Sequence, residues 1–187
     1  MRSQRSRARG SMMLELVIAS ALSVMVVALL VATELSALRE YQRALNRNTA
    51  SRGAYNALRE IRGLAQQSVQ ASVGAGGTQL TLLPPQRDAN GAIRLPIQPD
   101  TANSVTLMVN FAAGTLTLTS GGNSRVLLTG VSNRTPQGNT YSPFTTRLYA
   151  PGVLALHVRL SVRQGTGTAS TTAWFEETIL LRNPTGQ

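Results

Sequence analysis

The pattern of apolar positions divides the chain into three stretches. Residues 12–33 form an unbroken apolar run in which Glu15 is the only charged residue. A helix rises about 1.5 Å per residue, so this run predicts a helix long enough to cross a bilayer core of ~30 Å. From Glu34 to about Gln70 apolar residues recur at three- and four-residue steps, which predicts an amphipathic continuation of that helix. Beyond residue 72 the apolar period becomes two, as in strands.

The amphipathic half of the helix is expected to cover a sheet. Its apolar stripe consists of Leu35, Leu38, Tyr41, Leu45, Tyr55, Leu58, Ile61 and Ala65. No proline occurs before Pro84, so nothing in the run forces a kink. A stripe of this width buries itself against another element, and a sheet with one apolar face needs such a cover.

Short segments rich in Thr, Val and Leu predict the strands. They are residues 79–83, 104–111, 115–119, 125–131, 153–163 and 174–182, with Ala112-Ala113-Gly114 as a hairpin turn. In residues 153–163 the side chains of Leu154, Leu156, Val158, Leu160 and Val162 share one face. Polar loops are predicted at 132–142 and 164–172. The predicted fold is therefore α+β, a long N-terminal helix packed on an antiparallel sheet.

The distribution of charged residues predicts how the apolar helix is oriented in a membrane. The chain has 18 arginines, no lysine, eight acidic residues and no cysteine, so it forms neither disulfides nor cysteine-ligated metal sites. Four arginines lie in residues 1–10, which leaves 14 against eight acidic residues and a net charge of +6 beyond residue 10. Basic residues stay on the cytoplasmic side of a membrane, which places residues after about 33 outside the cytoplasm.

The N-terminus fits a secretory signal peptide poorly. Its basic start is suitable, but the apolar run exceeds the usual ~7–15 residues and continues without a break into residues 34–40. A cut before the run, after Gly10, agrees better with the sequence.

Gly10, followed by an apolar run with Glu15 at the fifth position after it, resembles the N-terminal motif of type IV prepilins. This family comprises type IV pilins, minor pilins and the pseudopilins of type II secretion. The resemblance implies that prepilin peptidase removes residues 1–10, that Ser11 becomes the N-methylated terminus and that Glu15 is the family's assembly carboxylate. The sequence departs from the family at Ser11, where Phe or Met is usual, and at Met12, where Thr or Ser is common.

The same resemblance implies a domain organisation and a pilin-like fold. Residues 11–33 would be the transmembrane and assembly half of the helix, 34–72 its amphipathic half and 73–187 the β-rich head. Ala32 stands where major pilins often carry a proline, which favours a minor component. The ending Leu180-Leu181-Arg182-Asn183 resembles W-type minor pilins and J-type pseudopilins of type II secretion.

The position of Glu15 can also be interpreted from electrostatics alone, without the family resemblance. A carboxylate in an apolar segment costs roughly 2.5–3.5 kcal/mol near the helix centre and less near its end. The amine freed at Ser11 would lie one helical turn away, and the positive end of the helix dipole also favours a carboxylate there. Between staggered helices the same two groups can pair across a filament. The alternative is that the Glu15 side chain extends to the membrane surface.

No residue pattern predicts an active site. His157 is the only histidine, which argues against zinc or a catalytic triad. Asp88-Ala89-Asn90-Gly91 resembles the start of a calcium loop, but no glutamate closes it at the required spacing. Glu176 and Glu177 are neighbours in a strand and point to opposite faces, so they form no acid/base pair. We expect no enzyme, no cofactor and no metal.

The leading hypothesis is a minor pilin or pseudopilin that joins, or primes, a filament rooted in the inner membrane as a single-pass protein. Its partners would be prepilin peptidase, other pilins or pseudopilins and membrane lipid, with no small-molecule substrate. One alternative is a pilus subunit that captures DNA during natural transformation through scattered arginines, namely Arg87, Arg94, Arg125, Arg134, Arg147, Arg159 and Arg163. Another is a membrane-tethered protein unrelated to pili. Type IV pilus, type II secretion and competence systems remain open.

Overall fold

The computed structural model describes residues 3–150, 153–167 and 170–181. Within these residues the backbone forms one long helix, eight strands and a short 3₁₀ turn at Ala75–Gly77. The elements are α1 (Ser3–Gln67), β1 (Gln70–Val73), β2 (Gln79–Leu83), β3 (Val105–Asn110), β4 (Thr115–Ser120), β5 (Asn123–Thr129), β6 (Phe144–Ala150), β7 (Val153–Gln164) and β8 (Thr171–Leu180). The predicted α+β class, with a long N-terminal helix and antiparallel strands, is confirmed.

The chain divides into two compact units, Met1–Ala44 and Leu45–Gln187. The described part of the first unit is helical throughout. From Met12 to Val31 its large apolar side chains are exposed. The second unit contains the rest of α1 and all eight strands, and it holds the hydrophobic core.

The eight described strands of the second unit form two antiparallel sheets, whereas the sequence predicts a single sheet. The first has the order β1-β2-β3-β4-β5 and the second the order β6-β7-β8. The sheets are linked where the chain leaves β5, because Val131 bridges to Val162 and the Arg163 N–H donates to the Gly130 carbonyl over 2.7 Å. Gly130 has a φ of +79°, and a Cβ there would lie 2.4 Å from the Arg163 carbonyl oxygen, so only glycine fits this crossing.

Small side chains on one face of α1 form its contact with the core. The fully or almost fully buried residues of that face are Ala50, Ala54, Ala57, Leu58, Ile61 and Ala65, at helical spacing. At Gly53 an added Cβ would lie 3.1 Å from Cδ1 of Leu128 in β5, so the helix backbone runs close to the strand. The close approach explains why alanine and glycine dominate this face.

The predicted cover is wrong in its first half. Leu35, Leu38, Tyr41 and Leu45 are exposed, and Tyr55 is 65% exposed, whereas Leu58, Ile61 and Ala65 are buried as expected. The hydrophobic pattern predicts burial for these large side chains, which are exposed. It does not predict burial for the alanines, whose short side chains allow a close helix–strand contact. The buried face of α1 therefore begins at Ala50.

The helix also ends earlier than the sequence predicts. It is expected to reach about Gln70, with the amphipathic stretch extending to residue 72, but α1 ends at Gln67. The Ser68 hydroxyl donates to the Leu64 carbonyl over 2.7 Å, and the next N–H, of Val69, donates to the Leu83 carbonyl over 2.8 Å. The chain thus enters the first sheet directly, as β1.

The other strand predictions are largely confirmed. β2, the β3–β4 hairpin, β5 and β7 lie where expected, and Gly114 in the hairpin turn has a φ of +64°. β8 begins at Thr171 rather than at Trp174, and its predicted end at Arg182 lies outside the described residues. On the predicted inner face of β7, Leu156, Val158, Leu160 and Val162 are buried and Leu154 is half-buried. β6 is missing from the prediction.

We predict that enlarging the buried alanine face of α1 destabilises the second unit. Ala54→Leu forces a bulky side chain between the helix and the strands and should lower the free energy of unfolding by about 1–3 kcal/mol. The matched control is Asn56→Leu, on the exposed side of the same helix. Guanidinium unfolding followed by the fluorescence of Trp174 measures both. Equal midpoints for the two variants would contradict the contact.

Candidate functional site

Gly10, Ser11 and Glu15 all lie in the first part of α1, with Gly10 and Ser11 adjacent and Glu15 about one turn further on. The backbone is helical through Gly10, Ser11 and Glu15. At ~1.5 Å per residue, Glu15 lies about 6 Å beyond Ser11 along the helix axis. The four-residue spacing therefore places Glu15 about one helical turn beyond Ser11.

The helix that carries Glu15 has the length and composition of a membrane span. Among the described residues one helix, near the N-terminus, is long and apolar enough to cross a bilayer, and its apolar window is wholly exposed. Side chains such as Met13, Val17, Met25 and Leu29 are at least 60% exposed. Exposed apolar surface of this extent is typical of an interaction with lipid or with other apolar helices.

The hydroxyls within the apolar run have their hydrogen bonds inside the helix. Ser20 donates to the Val17 carbonyl over 2.9 Å, Ser23 to the Ala19 carbonyl over 2.8 Å and Thr33 to the Leu30 carbonyl over 2.7 Å. Because no water is available in a bilayer core, polar groups there must be satisfied within the protein. The run meets this requirement at all three hydroxyls.

The residues weighed for metal or acid/base chemistry have structural roles. The Nδ1 atom of His157 lies 2.9 Å from the Thr178 hydroxyl on the neighbouring strand. Oδ1 of Asp88 accepts the backbone N–H groups of Asn90 and Ala92, at 2.9 and 2.8 Å, which closes a turn. Among the described residues no group of three or more His, Asp or Glu side chains could hold a metal ion.

A second turn that is held by an aspartate lies further along the connection between β2 and β3, which also contains Asp88. Asp100 accepts the side-chain N–H of Asn103 over 2.7 Å and the backbone N–H groups of Ala102 and Asn103. The Asn103 side chain is the main cause of a lowered pKa at Asp100, with the backbone donors adding to it. The carboxylate therefore organises the turn ahead of β3.

Glu176 and Glu177 lie on opposite faces of β8, as predicted. Glu176 pairs with Arg159 of β7, with 3.0 Å between Oε1 and Nε. Glu177 faces the core side, where it pairs with Arg62 of α1. The two carboxylates thus join β8 to two different elements.

The predicted polar loop 132–142 is attached to the second sheet. The Tyr141 hydroxyl donates to the Ser132 carbonyl over 2.8 Å and accepts the Ser161 N–H over 2.9 Å. The buried Ser161 hydroxyl donates to the Arg134 carbonyl over 2.6 Å. The Tyr141 ring packs edge-on against Trp174, with centroids 4.9 Å apart. Burial raises the pKa of Tyr141.

Sequence reasoning missed this Tyr141 cluster. Its signals are a tyrosine in an otherwise polar loop and Ser161 between the apolar Leu160 and Val162. Neither signal identifies its partner, because the two residues are distant in sequence and meet only in the folded chain. Several polar groups of this predicted surface loop therefore make hydrogen bonds within the chain.

Several arginines considered for DNA binding have partners within the chain. Arg125 pairs with Glu60 of α1, and Arg159 pairs with Glu176. Arg87 and Arg134 donate to carbonyls of their own loops, at Gly91 and Gly138. These four arginines stabilise the head, so they give no support to a dedicated phosphate-binding surface.

Comparison with protein-family models, curated proteins and solved structures found no match to this chain. The structure itself therefore defines the class: a chain whose exposed apolar N-terminal helix continues into an α+β unit of two antiparallel sheets.

We predict that the Tyr141 hydroxyl stabilises the head. Tyr141→Phe leaves the Ser161 N–H and the Ser132 carbonyl without this partner and should lower the free energy of unfolding by about 1–3 kcal/mol. Tyr149→Phe, at a side chain that is 73% exposed, is the control and should change it by less than about 0.5 kcal/mol.

The raised pKa of Tyr141 gives this prediction a pH signature. The folded state holds the phenol proton more tightly than the unfolded state, whose pKa is near 10.0. The stabilisation is therefore fully present below pH 10 and is lost as the pH rises through the folded-state pKa. Denaturant titrations above pH 10 should show a smaller loss in Tyr141→Phe than in the wild type; equal losses would contradict the assignment.

Proposed function

We propose that this chain is a minor pilin or pseudopilin subunit. It is cleaved after Gly10 by a prepilin peptidase and then joins, or primes, a filament rooted in the inner membrane. One observation carries the proposal. The exposed apolar run of α1, residues 12–33, bears a single carboxylate, Glu15, five residues after Gly10, and the same helix continues into a folded head.

The continuity of α1 favours an anchor over a signal sequence. Length and hydropathy are shared by both, but a signal peptide ends at an accessible small-residue cleavage site and releases a separate mature domain. Here α1 is unbroken from Ser3 to Gln67, and its last turns form part of the head's core. A cut before the apolar run preserves this helix, whereas a cut after it divides the helix.

A comparison of the polar side chains in the apolar run supports a specific role for Glu15. The hydroxyls of Ser20, Ser23 and Thr33 are satisfied within the helix and cost little in lipid. A carboxylate is different, because its charge needs a counter-ion when it leaves water. In the processed subunit that cation is the Ser11 amine, supplied by the same helix or by a staggered neighbour.

The head suits the pilin-like part of the proposal. In that fold a long N-terminal helix covers an antiparallel sheet, and here the alanine face of α1 belongs to one hydrophobic core with residues from strands of both sheets. The DNA-capturing alternative gains nothing from the structure, because five of the seven arginines on which it rests have partners within the chain. The choice between type IV pilus and type II secretion depends on the partner subunits.

We predict that Glu15→Leu blocks assembly while leaving insertion intact. Removing the charge makes the apolar run easier to insert. Removing one partner of a desolvated ion pair costs about 3–5 kcal/mol, which corresponds to a more than hundredfold lower incorporation. Membrane fractionation and the content of sheared filaments, or filament-dependent secretion, measure the two steps.

The matched control is Glu34→Leu, at the other end of the apolar run. It removes the same charge without touching the motif, so it should insert and assemble normally. Normal assembly of Glu15→Leu would contradict the pairing of Glu15 with the Ser11 amine.

A further inference from the structure

β8 is a long edge strand whose outer side no described segment pairs with. It lies at the end of the order β6-β7-β8 and pairs with β7 in an unbroken register from Gln164↔Thr171 to Ala155↔Leu180. The Leu181 N–H donates to the Leu154 carbonyl, so by antiparallel alternation the N–H and C=O groups of every second residue back along β8 point towards β7. Those of Thr172, Trp174, Glu176 and Thr178 point to the open edge.

One edge strand of the first sheet, β5, is different. β5 is irregular, because its register with β4 shifts at Leu116/Thr117, and it carries Arg125. A bulge and a cation are common devices that prevent a further strand from adding to an edge. β8 has no bulge, no proline and no cation along its ten residues. Of these two edges in the described chain, only β8 is a regular template.

A groove of about 570 Å³ lies between β8 and α1. This volume falls within the roughly 300–1,000 Å³ typical of ligand clefts. Tyr55 and Phe175 contact each other edge-on, with ring centroids 5.4 Å apart, and both line the groove. Because Tyr55 remains 65% exposed, its ring offers apolar surface to an occupant.

Within the described residues, one of the charged side chains that line the groove, Arg59, makes no ion pair. Glu177 is neutralised by Arg62 and Glu176 by Arg159. Arg59, which also lines the groove, makes no ion pair within the described part of the chain and is exposed. An occupant with an acidic residue at this position would complement Arg59.

We propose that the β8 edge and this groove bind an extended segment of a partner protein as an added strand. The segment pairs its backbone with the open edge of β8, directs apolar residues at every second position towards Tyr55 and places an acidic residue against Arg59. This is strand addition, in which the backbone gives affinity and alternate side chains give specificity. The proposal goes beyond the filament role, since it concerns the head alone.

A second copy of β8 suits this edge poorly. Antiparallel self-pairing would bring another Glu176 and Glu177 to the edge, each already paired with Arg159 or Arg62 of its own copy, so β8 of a second copy supplies no free carboxylate for Arg59. Like charges that are opposite or diagonal across a strand pair are destabilising. The observed charges therefore favour an acidic segment of a different sequence whose carboxylate meets Arg59.

The test uses the full chain in detergent micelles and a fluorescent peptide with the sequence Thr-Val-Thr-Glu-Thr-Val-Thr. Its valines and glutamate share one face. Anisotropy should report saturable binding with a dissociation constant on the order of 100 µM. A peptide with Lys in place of Glu should bind more weakly. Arg59→Glu should reverse this preference, with changes of about two- to fivefold in each direction, and a merely misfolded head cannot produce that reversal.

Backbone pairing is tested separately. Two peptides N-methylated at alternate sets of amides should behave differently, because only one set faces β8: one peptide should lose binding and the other keep it. Thr172→Pro removes an N–H at the open edge and should weaken binding about two- to tenfold, whereas the control Thr172→Val should not.

Three results would overturn the proposal. They are the absence of saturable binding at millimolar peptide, equal binding of both methylated peptides, and self-association of the chain that Thr172→Pro abolishes. The last result would place a second copy at the edge. None of them depends on filament assembly, so the fate of this proposal and that of the Glu15 pairing are distinguishable.

Discussion

The exposed apolar surface of α1 between Met12 and Val31 is the constraint on which the account depends. Water is a poor solvent for a helix with this surface, which is typical of a segment that contacts lipid or other apolar helices. The three hydroxyls in the segment have hydrogen bonds within the helix, and Glu15 is its only charged residue, whose transfer into a bilayer has a cost in free energy. A function that supplies a cation to Glu15 therefore accounts for the segment better than anchoring alone.

The last turns of α1 are packed in the core of the second unit, in contrast to the exposed apolar run near its start. Ala50, Ala54 and Ala57 are buried against strands, and the Arg62–Glu177 and Arg125–Glu60 pairs join the helix to β8 and to β5. These ion pairs are partly exposed and contribute little stability each, so the apolar contact holds the helix and the pairs orient it. One helix thus provides both the apolar N-terminal run and one layer of the head's core.

The sequence predicted those parts of the fold that depend on local pattern. The strict alternation in β7 and the glycine turn between β3 and β4 were sufficient for those strands. β6 was missed because Phe144 is its only fully buried residue and 146–149 are exposed, so it shows no alternation. The Tyr141–Ser161 contact and the alanine face of α1 depend on tertiary distances that composition does not encode. At the candidate site, the sequence indicated Gly10, Ser11 and Glu15, and the structure adds the exposed helix that carries them.

The most direct test of the account is the intact mass of the protein extracted from membranes. If a prepilin peptidase processes the chain, residues 1–10 are absent, the N-terminus is Ser11, and the amine carries one added methyl group. A Gly10→Leu variant should retain the leader, because the residue at the cut has changed. A mature terminus beyond residue 25 would indicate ordinary signal-peptide cleavage. That result would remove Glu15 from the mature protein and contradict the filament proposal.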